Sequence, residues 1–66
     1  MRNTIKIQRV IKDLTQEALA EKIGVSRQTI NSIENNRYIP STVLALKLSK
    51  VFGLSVNEIF ELDDED

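Results

Sequence analysis

An all-α fold of five short helices is the architecture this sequence predicts, and three observations predict it. Apolar residues recur at helical rather than alternating spacing along most of the chain. The two glycines and one proline, Gly24, Gly53 and Pro40, fall between the apolar-periodic segments rather than inside them. Hydroxyl residues stand where helices should begin, at Thr15, Ser26, Ser41 and Ser55. These signals place helices at about 4–12, 16–23, 27–34, 42–52 and 56–61. A short strand pairing of the two termini is compatible with the same pattern.

The first helix offers two stripes. Ile7, Val10, Ile11 and Leu14 make one, and Ile5, Gln8, Arg9 and Lys12 make the other. Periodicity alone turns the first stripe inward. The second helix carries Ala18, Leu19 and Ile23, with Ala20 small where two helices must approach closely. Gly24 can take the left-handed conformation that closes a helix. Val25 then turns inward, and Ser26 caps the third helix. Ile30 and Ile33, at i and i+3, lock that helix against the second. The fourth helix, with Val43, Leu44, Leu46, Leu48, Val51 and Phe52, is apolar nearly all round except at Lys47 and Lys50. A helix this apolar is expected to be mostly buried. Ser55-Val56-Asn57-Glu58 has capping-box spacing, with Glu58 placed to reach back to the Ser55 N–H.

Composition narrows the function. The 66 residues make one domain, expected over 1–62, followed by an acidic tail at 63–66. So short a chain buries only ~60 % of its unfolded surface, so helix packing and oligomerisation must supply stability. There is no cysteine and no histidine. Disulfides are therefore excluded, and a zinc site would rest on carboxylates alone. The commonest general base and the strongest side-chain nucleophile are missing too. No enzyme, metal, cofactor or small-molecule ligand is expected. No apolar run approaches the ~18 residues of a membrane span. The N-terminus opens into a charged amphipathic stretch without a signal-peptide core. A cytoplasmic protein is the expectation.

The segment Thr15–Asn35 carries the functional signal. Two short helices are joined through Ile23-Gly24-Val25-Ser26, the arrangement that holds a helix pair at ~90–120°. With Ile30 and Ile33 inside, the outward face of the third helix presents Arg27, Gln28, Asn31 and Ser32. Arg matches the O6 and N7 acceptors of guanine, and Gln and Asn match N7 and N6 of adenine. A fixed interhelical angle lets such a face enter the major groove while the preceding helix meets the backbone.

The chain resembles the Cro/phage-repressor type of helix-turn-helix family over about residues 4 to 60, most closely its short stand-alone transcriptional regulators from bacteria and archaea. Thr15-Gln16-Glu17-Ala18-Leu19-Ala20, Gly24-Val25-Ser26-Arg27-Gln28-Thr29-Ile30, Ile33-Glu34-Asn35 and Tyr38-Ile39-Pro40-Ser41 carry the resemblance. It implies a lambda-repressor-like domain that binds double-stranded DNA. It implies base reading by Arg27, Gln28, Asn31 and Ser32, and phosphate contacts by Gln16, Thr29, Asn35, Asn36 and Arg37. Arg9 and Glu34 match a family pair that forms an internal salt bridge, which turns the second stripe of the first helix inward instead of the first. Gln8 departs from the large apolar residue many relatives carry, and Asn36 stands where many carry glycine.

A homodimer on a palindromic operator is expected, since two-fold dimers dominate oligomers. Leu54, Val56, Ile59, Phe60 and Leu62 are the expected interface. Net charge is −1, but five of the ten acidic residues lie in the last six positions. Residues 1–60 therefore carry nine basic against five acidic groups, a balance of +4. The tail reads as a solvated, frayed end. Its sharper alternative is a DNA mimic, or a screen against non-specific phosphate binding. A nucleoid-associated repressor is the leading expectation. Its rivals are an antitoxin or restriction-controller regulator of the same fold, and a protein-interaction module that no longer binds DNA.

Overall fold

A computed structural model describes all 66 residues. In chain order it contains β1 (Arg2–Asn3), α1 (Ile5–Ile11), α2 (Gln16–Ile23), α3 (Arg27–Glu34), α4 (Thr42–Phe52), α5 (Val56–Ile59) and β2 (Phe60–Glu61). The five expected helices are present, and the termini pair as an antiparallel two-stranded sheet, Arg2 opposite Glu61 and Asn3 opposite Phe60. No helix is long and apolar enough to cross a membrane.

The helix ends are closed locally, as a domain with so small a core requires. The hydroxyls of Thr15, Ser26 and Ser41 accept hydrogen bonds from the N–H groups of Ala18, Thr29 and Leu44 at 3.0, 3.1 and 3.2 Å. The Glu58 carboxylate accepts from the Ser55 N–H at 3.2 Å. Four helices end in a left-handed residue: Asp13, Gly24, Asn36 and Gly53. After α1 and α3 both closing bonds of a Schellman turn form. Leu14 and Asp13 N–H donate to the Arg9 and Val10 carbonyls, and Arg37 and Asn36 N–H to those of Ser32 and Ile33, all within 2.9–3.0 Å.

One core gathers from every helix: Ile5, Leu19, Ala20, Ile23, Ile30, Ile33, Leu48, Phe52, Ile59 and Phe60. Its makeup corrects four expectations. Ile7, Val10 and Ile11 point outward at 60, 61 and 70 % exposure, because α1 is turned so that Ile5 enters the core and Arg9 reaches Glu34. Val43 and Leu46 are 61 and 58 % exposed, because α4 packs mainly on α2 and α5 and no element covers its other side. The last helix stops at Ile59, two residues early. There the Thr4 N–H takes the Ile59 carbonyl at 2.8 Å and the chain extends into β2. Finally, Ile59 and Phe60 are 1 and 8 % exposed within a single copy, so they are core residues and not an interface. Of the five residues expected there, only Leu62 is largely exposed, and Leu54 and Val56 are half-buried.

The acidic tail is clasped rather than frayed. The Met1 ammonium pairs with Asp63 at 2.8 Å and Asp66 at 3.1 Å. Arg2 pairs with Asp63 at 2.9 Å and also with Glu61. Hydrogen bonds to Asp63 and then Asp66 raise the pKa of the Met1 amine above its ordinary value. The Asp63 N–H, followed by that ammonium, holds the Asp66 carboxyl below the usual carboxylate value.

Candidate nucleic-acid interface

The left-handed Gly24 (φ 76°) separates α2 from α3, and its neighbours fix the angle between them. The Val25 N–H returns to the Ala20 carbonyl at 3.0 Å. Lys47, from α4, donates its ammonium to the Ile23 carbonyl at 3.3 Å and so satisfies an orphan acceptor at the end of α2. Ile30 and Ile33 are 0 and 1 % exposed against Leu19, Ala20 and Ile23 in the same cluster.

A second anchor holds the far end of α3. Arg9 Nε donates to Glu34 Oε2 at 2.9 Å, and its Nη2 reaches Oε1 at 3.4 Å. The remaining guanidinium nitrogen donates to the Leu14 carbonyl at 2.8 Å. The side chains of Arg9 and Glu34 are only 13 and 6 % exposed. The Gln16 amide donates to Glu34 Oε1 at 3.1 Å. One network thus joins α1, the α1–α2 turn, α2 and α3. The expected salt bridge is present as a buried, bidentate pair.

With α3 held at both ends, its free side is determined. Arg27 and Gln28 are exposed, and Asn31 and Ser32 are half-buried at its edge. No ion pair involves α3 apart from that of Glu34, so none of the four readers is neutralised by an opposite charge. Gln16 sits in the first turn of α2 with one amide N–H engaged by Glu34 and one free. Thr29 shares a hydroxyl–hydroxyl bond with Ser26 at 2.9 Å. Asn35 folds back on α3, donating to the Asn31 carbonyl at 2.9 Å and to Asn31 Oδ1 at 3.3 Å. Asn36 occupies the left-handed position (φ 60°), and Arg37 is exposed.

Three contributors escaped the sequence reading. Asn3 donates to the Ile33 carbonyl at 2.9 Å and to Asn36 Oδ1 at 3.1 Å, so the first strand caps the end of α3. Tyr38, 46 % exposed, lines a shallow notch with Gln28, Ser32 and Arg37. Lys47 closes α2 from 24 residues away. No local pattern marks Asn3 or Lys47, because both act across the fold. Tyr38 was visible inside a family motif but carried no assigned role.

Comparison with known proteins agrees with this geometry. A helix-turn-helix family model matches residues 5–59. An uncharacterised HTH-type transcriptional regulator of Methanocaldococcus jannaschii is 48 % identical over the full length of both chains. Another of Bacillus subtilis, YgzD, is 42 % identical over 98 % of each. Among solved structures, the restriction-modification controller protein C.AhdI of Aeromonas hydrophila superposes with a TM-score of 0.77 at 30 % identity, covering 85 % of each chain. SinR, solved as the SinR/SinI complex, gives a TM-score of 0.78 at 36 % identity, covering 92 % of this chain and 65 % of that one. The chain belongs to the Cro/repressor-type helix-turn-helix family of DNA-binding transcriptional regulators.

Proposed function

We propose that the protein is a sequence-specific repressor that lays α3 in the DNA major groove and binds a palindromic operator as a homodimer. One observation carries this reading. Ile30 and Ile33 are fully spent on the core, which leaves Arg27, Gln28, Asn31 and Ser32 as an outward polar edge free of ion pairs. Arg27 suits guanine, and Gln28 and Asn31 suit adenine, through bidentate hydrogen bonds. Gln16 and the first N–H groups of α2 meet one backbone phosphate. Arg37, Tyr38, Thr29 and the Asn35–Asn36 corner hold the backbone beyond α3.

A short helix reads only a few base pairs, so two copies are needed for affinity. One copy spans 32 Å at its longest, and successive major grooves lie ~34 Å apart, so adjacent copies can each occupy one. Leu62, with the half-buried Leu54 and Val56, is the surface left for pairing. The likeness to a restriction-modification controller favours one narrower role, a restriction-controller regulator.

Selection from a random duplex pool tests the assignment. Gln28→Ala should relax preference at one base pair by about 1–3 kcal/mol, whereas Gln16→Ala should weaken all sequences evenly. An even loss for Gln28→Ala would defeat the base-reading role. Half-site spacing in the selected sequences reports the dimer, and Leu62→Glu should shift sedimentation toward the monomer.

A further inference from the structure

The cations of this domain are concentrated away from α3. Of nine basic side chains, Arg2 and Arg9 are consumed in ion pairs. Four of the other seven, Lys12, Lys22, Lys47 and Lys50, line one cleft of about 630 Å³. Its floor is apolar, made by Leu14, Ile23 and Val51, and no acidic side chain lines it. None of the four lysines is in a salt bridge. The cleft surrounds Ile23, the last residue of α2, while Gln16 stands at the other end of that helix, ~10 Å away.

We propose that this cleft binds a small organic anion with an apolar body, an aryl or short-acyl phosphate in chemical class. Four unneutralised ammonium groups around one opening repel each other and favour a compact multivalent anion. Lysine is a strongly hydrated point charge suited to phosphate. The aliphatic floor favours a ligand that is not charged throughout. The volume falls in the ~300–1,000 Å³ range of small-molecule sites. A duplex backbone matches the rim but has nothing to lay on the floor.

Occupancy reaches the turn. Lys47 holds the Ile23 carbonyl, and a Cβ placed on Gly24 would stand 4.0 Å from its ammonium. An anion that draws Lys47 away uncaps Ile23, because Gly24 and Val25 both donate to Ala20 instead. The angle of α3 then changes, and with it DNA affinity, a consequence that rests on the function proposed above.

Amide NMR titration of the full chain without DNA tests the site itself, with phenyl phosphate as probe. Phenyl phosphate should give saturable shifts at Ile23, Gly24, Lys47 and Lys50. It should bind about tenfold more tightly than inorganic phosphate, and benzyl alcohol should not saturate. The K12Q/K50Q variant, changed only at exposed positions, should keep the wild-type circular dichroism and bind about tenfold more weakly. Equal affinity for phenyl and inorganic phosphate overturns the proposal. So does unchanged binding by K12Q/K50Q, or shifts confined to the exposed Ile7, Val10 and Ile11. If K12Q/K50Q instead loses affinity for all duplexes with a shallower salt slope, these lysines are DNA contacts and the proposal fails. If phenyl phosphate fills the cleft yet leaves wild-type DNA affinity unchanged, the link to α3 is refuted while the DNA-binding function stands.

Discussion

Helices α1 and α3 are nearly equal in length and are bolted to each other, yet they earn their places by opposite means. α3 is held by apolar burial: Ile30 and Ile33 sit in the core and its polar side faces out. α1 contributes one core residue, Ile5, and is otherwise held by Arg9 while three large aliphatic side chains face solvent. The rotation that would bury Ile7, Val10 and Ile11 would strip the buried Glu34 of its partner at about 3–5 kcal/mol, take the donor from the Leu14 carbonyl and withdraw Ile5 from the core. These losses act together, so the ion pair and Ile5 set the rotation of α1, and the apolar stripe yields.

Removing one partner breaks the comparison most severely. Arg9→Ala should cost about 3–5 kcal/mol, because a carboxylate that is only 6 % exposed is left uncompensated. A core of this size rarely supplies more than about 3–5 kcal/mol, so the variant should be largely unfolded by circular dichroism at 25 °C. The double change Arg9→Met with Glu34→Leu should recover much of the loss. It should not recover all of it, because the Leu14 carbonyl and the Gln16 amide also lose a partner. A folded Arg9→Ala single variant would show that α1 is not held by charge.

The two helices should also respond unequally to trimming of their isoleucines. Ile30→Ala should cost about 2–5 kcal/mol, as a cavity in a closed core. Ile11→Ala should move stability by less than about 0.5 kcal/mol, since the side chain is 70 % exposed. Urea titration of both variants reads the contrast. A large loss for Ile11→Ala would mean that the outer face of α1 is covered in solution.

These contrasts explain what could be read from the residues alone. The caps at Thr15, Ser26 and Ser41, the left-handed Gly24, and the inward Ile30 and Ile33 are local signals, and local physics determines them. The rotation of α1 is not local. Within residues 4–14 the stripe of Ile7, Val10 and Ile11 is the stronger periodic signal, and only Glu34, 25 positions on, reverses it. The family resemblance carried that information where periodicity could not. Val43 and Leu46 misled for a different reason. An apolar helix is buried all round only if elements exist to surround it, and a chain of 66 residues has too few. No local pattern marks Ile59 and Phe60 as core, because the terminal sheet that draws them inward joins residues 57 and 59 positions apart.

The two helices end alike, and a smaller effect follows. Each closes on a non-glycine left-handed residue, Asp13 after α1 and Asn36 after α3. Asn36 is supported by the Asn3 amide, whereas Asp13 places a negative charge at a helix C-terminus, where the dipole opposes it. Asp13→Gly should therefore stabilise the fold by about 1 kcal/mol and raise the thermal midpoint by ~4–8 °C. Asn36→Gly should gain less, because it gives up the bond to Asn3. Equal gains at the two sites would remove the distinction.

The smallest effect separates the helix bolt from the terminal clasp. Arg9–Glu34 is shielded from water, but the Met1, Arg2, Asp63 and Asp66 pairs lie at the surface, where salt screens them. The Met1 amine has a raised pKa, so its contribution is complete below its ordinary value near 8 and is lost as pH climbs through the raised one. Asp66 has a lowered pKa, so its contribution is present above the ordinary carboxylate value and is lost as pH falls through the lowered one. The clasp should accordingly add to the thermal midpoint between about pH 4 and pH 8 and fade on either side. N-terminal acetylation should remove the alkaline fade, and ~0.5 M salt should flatten both limbs while leaving the Arg9→Ala defect intact. An alkaline limb that survives acetylation would place the titrating group elsewhere and leave the tail without its anchor.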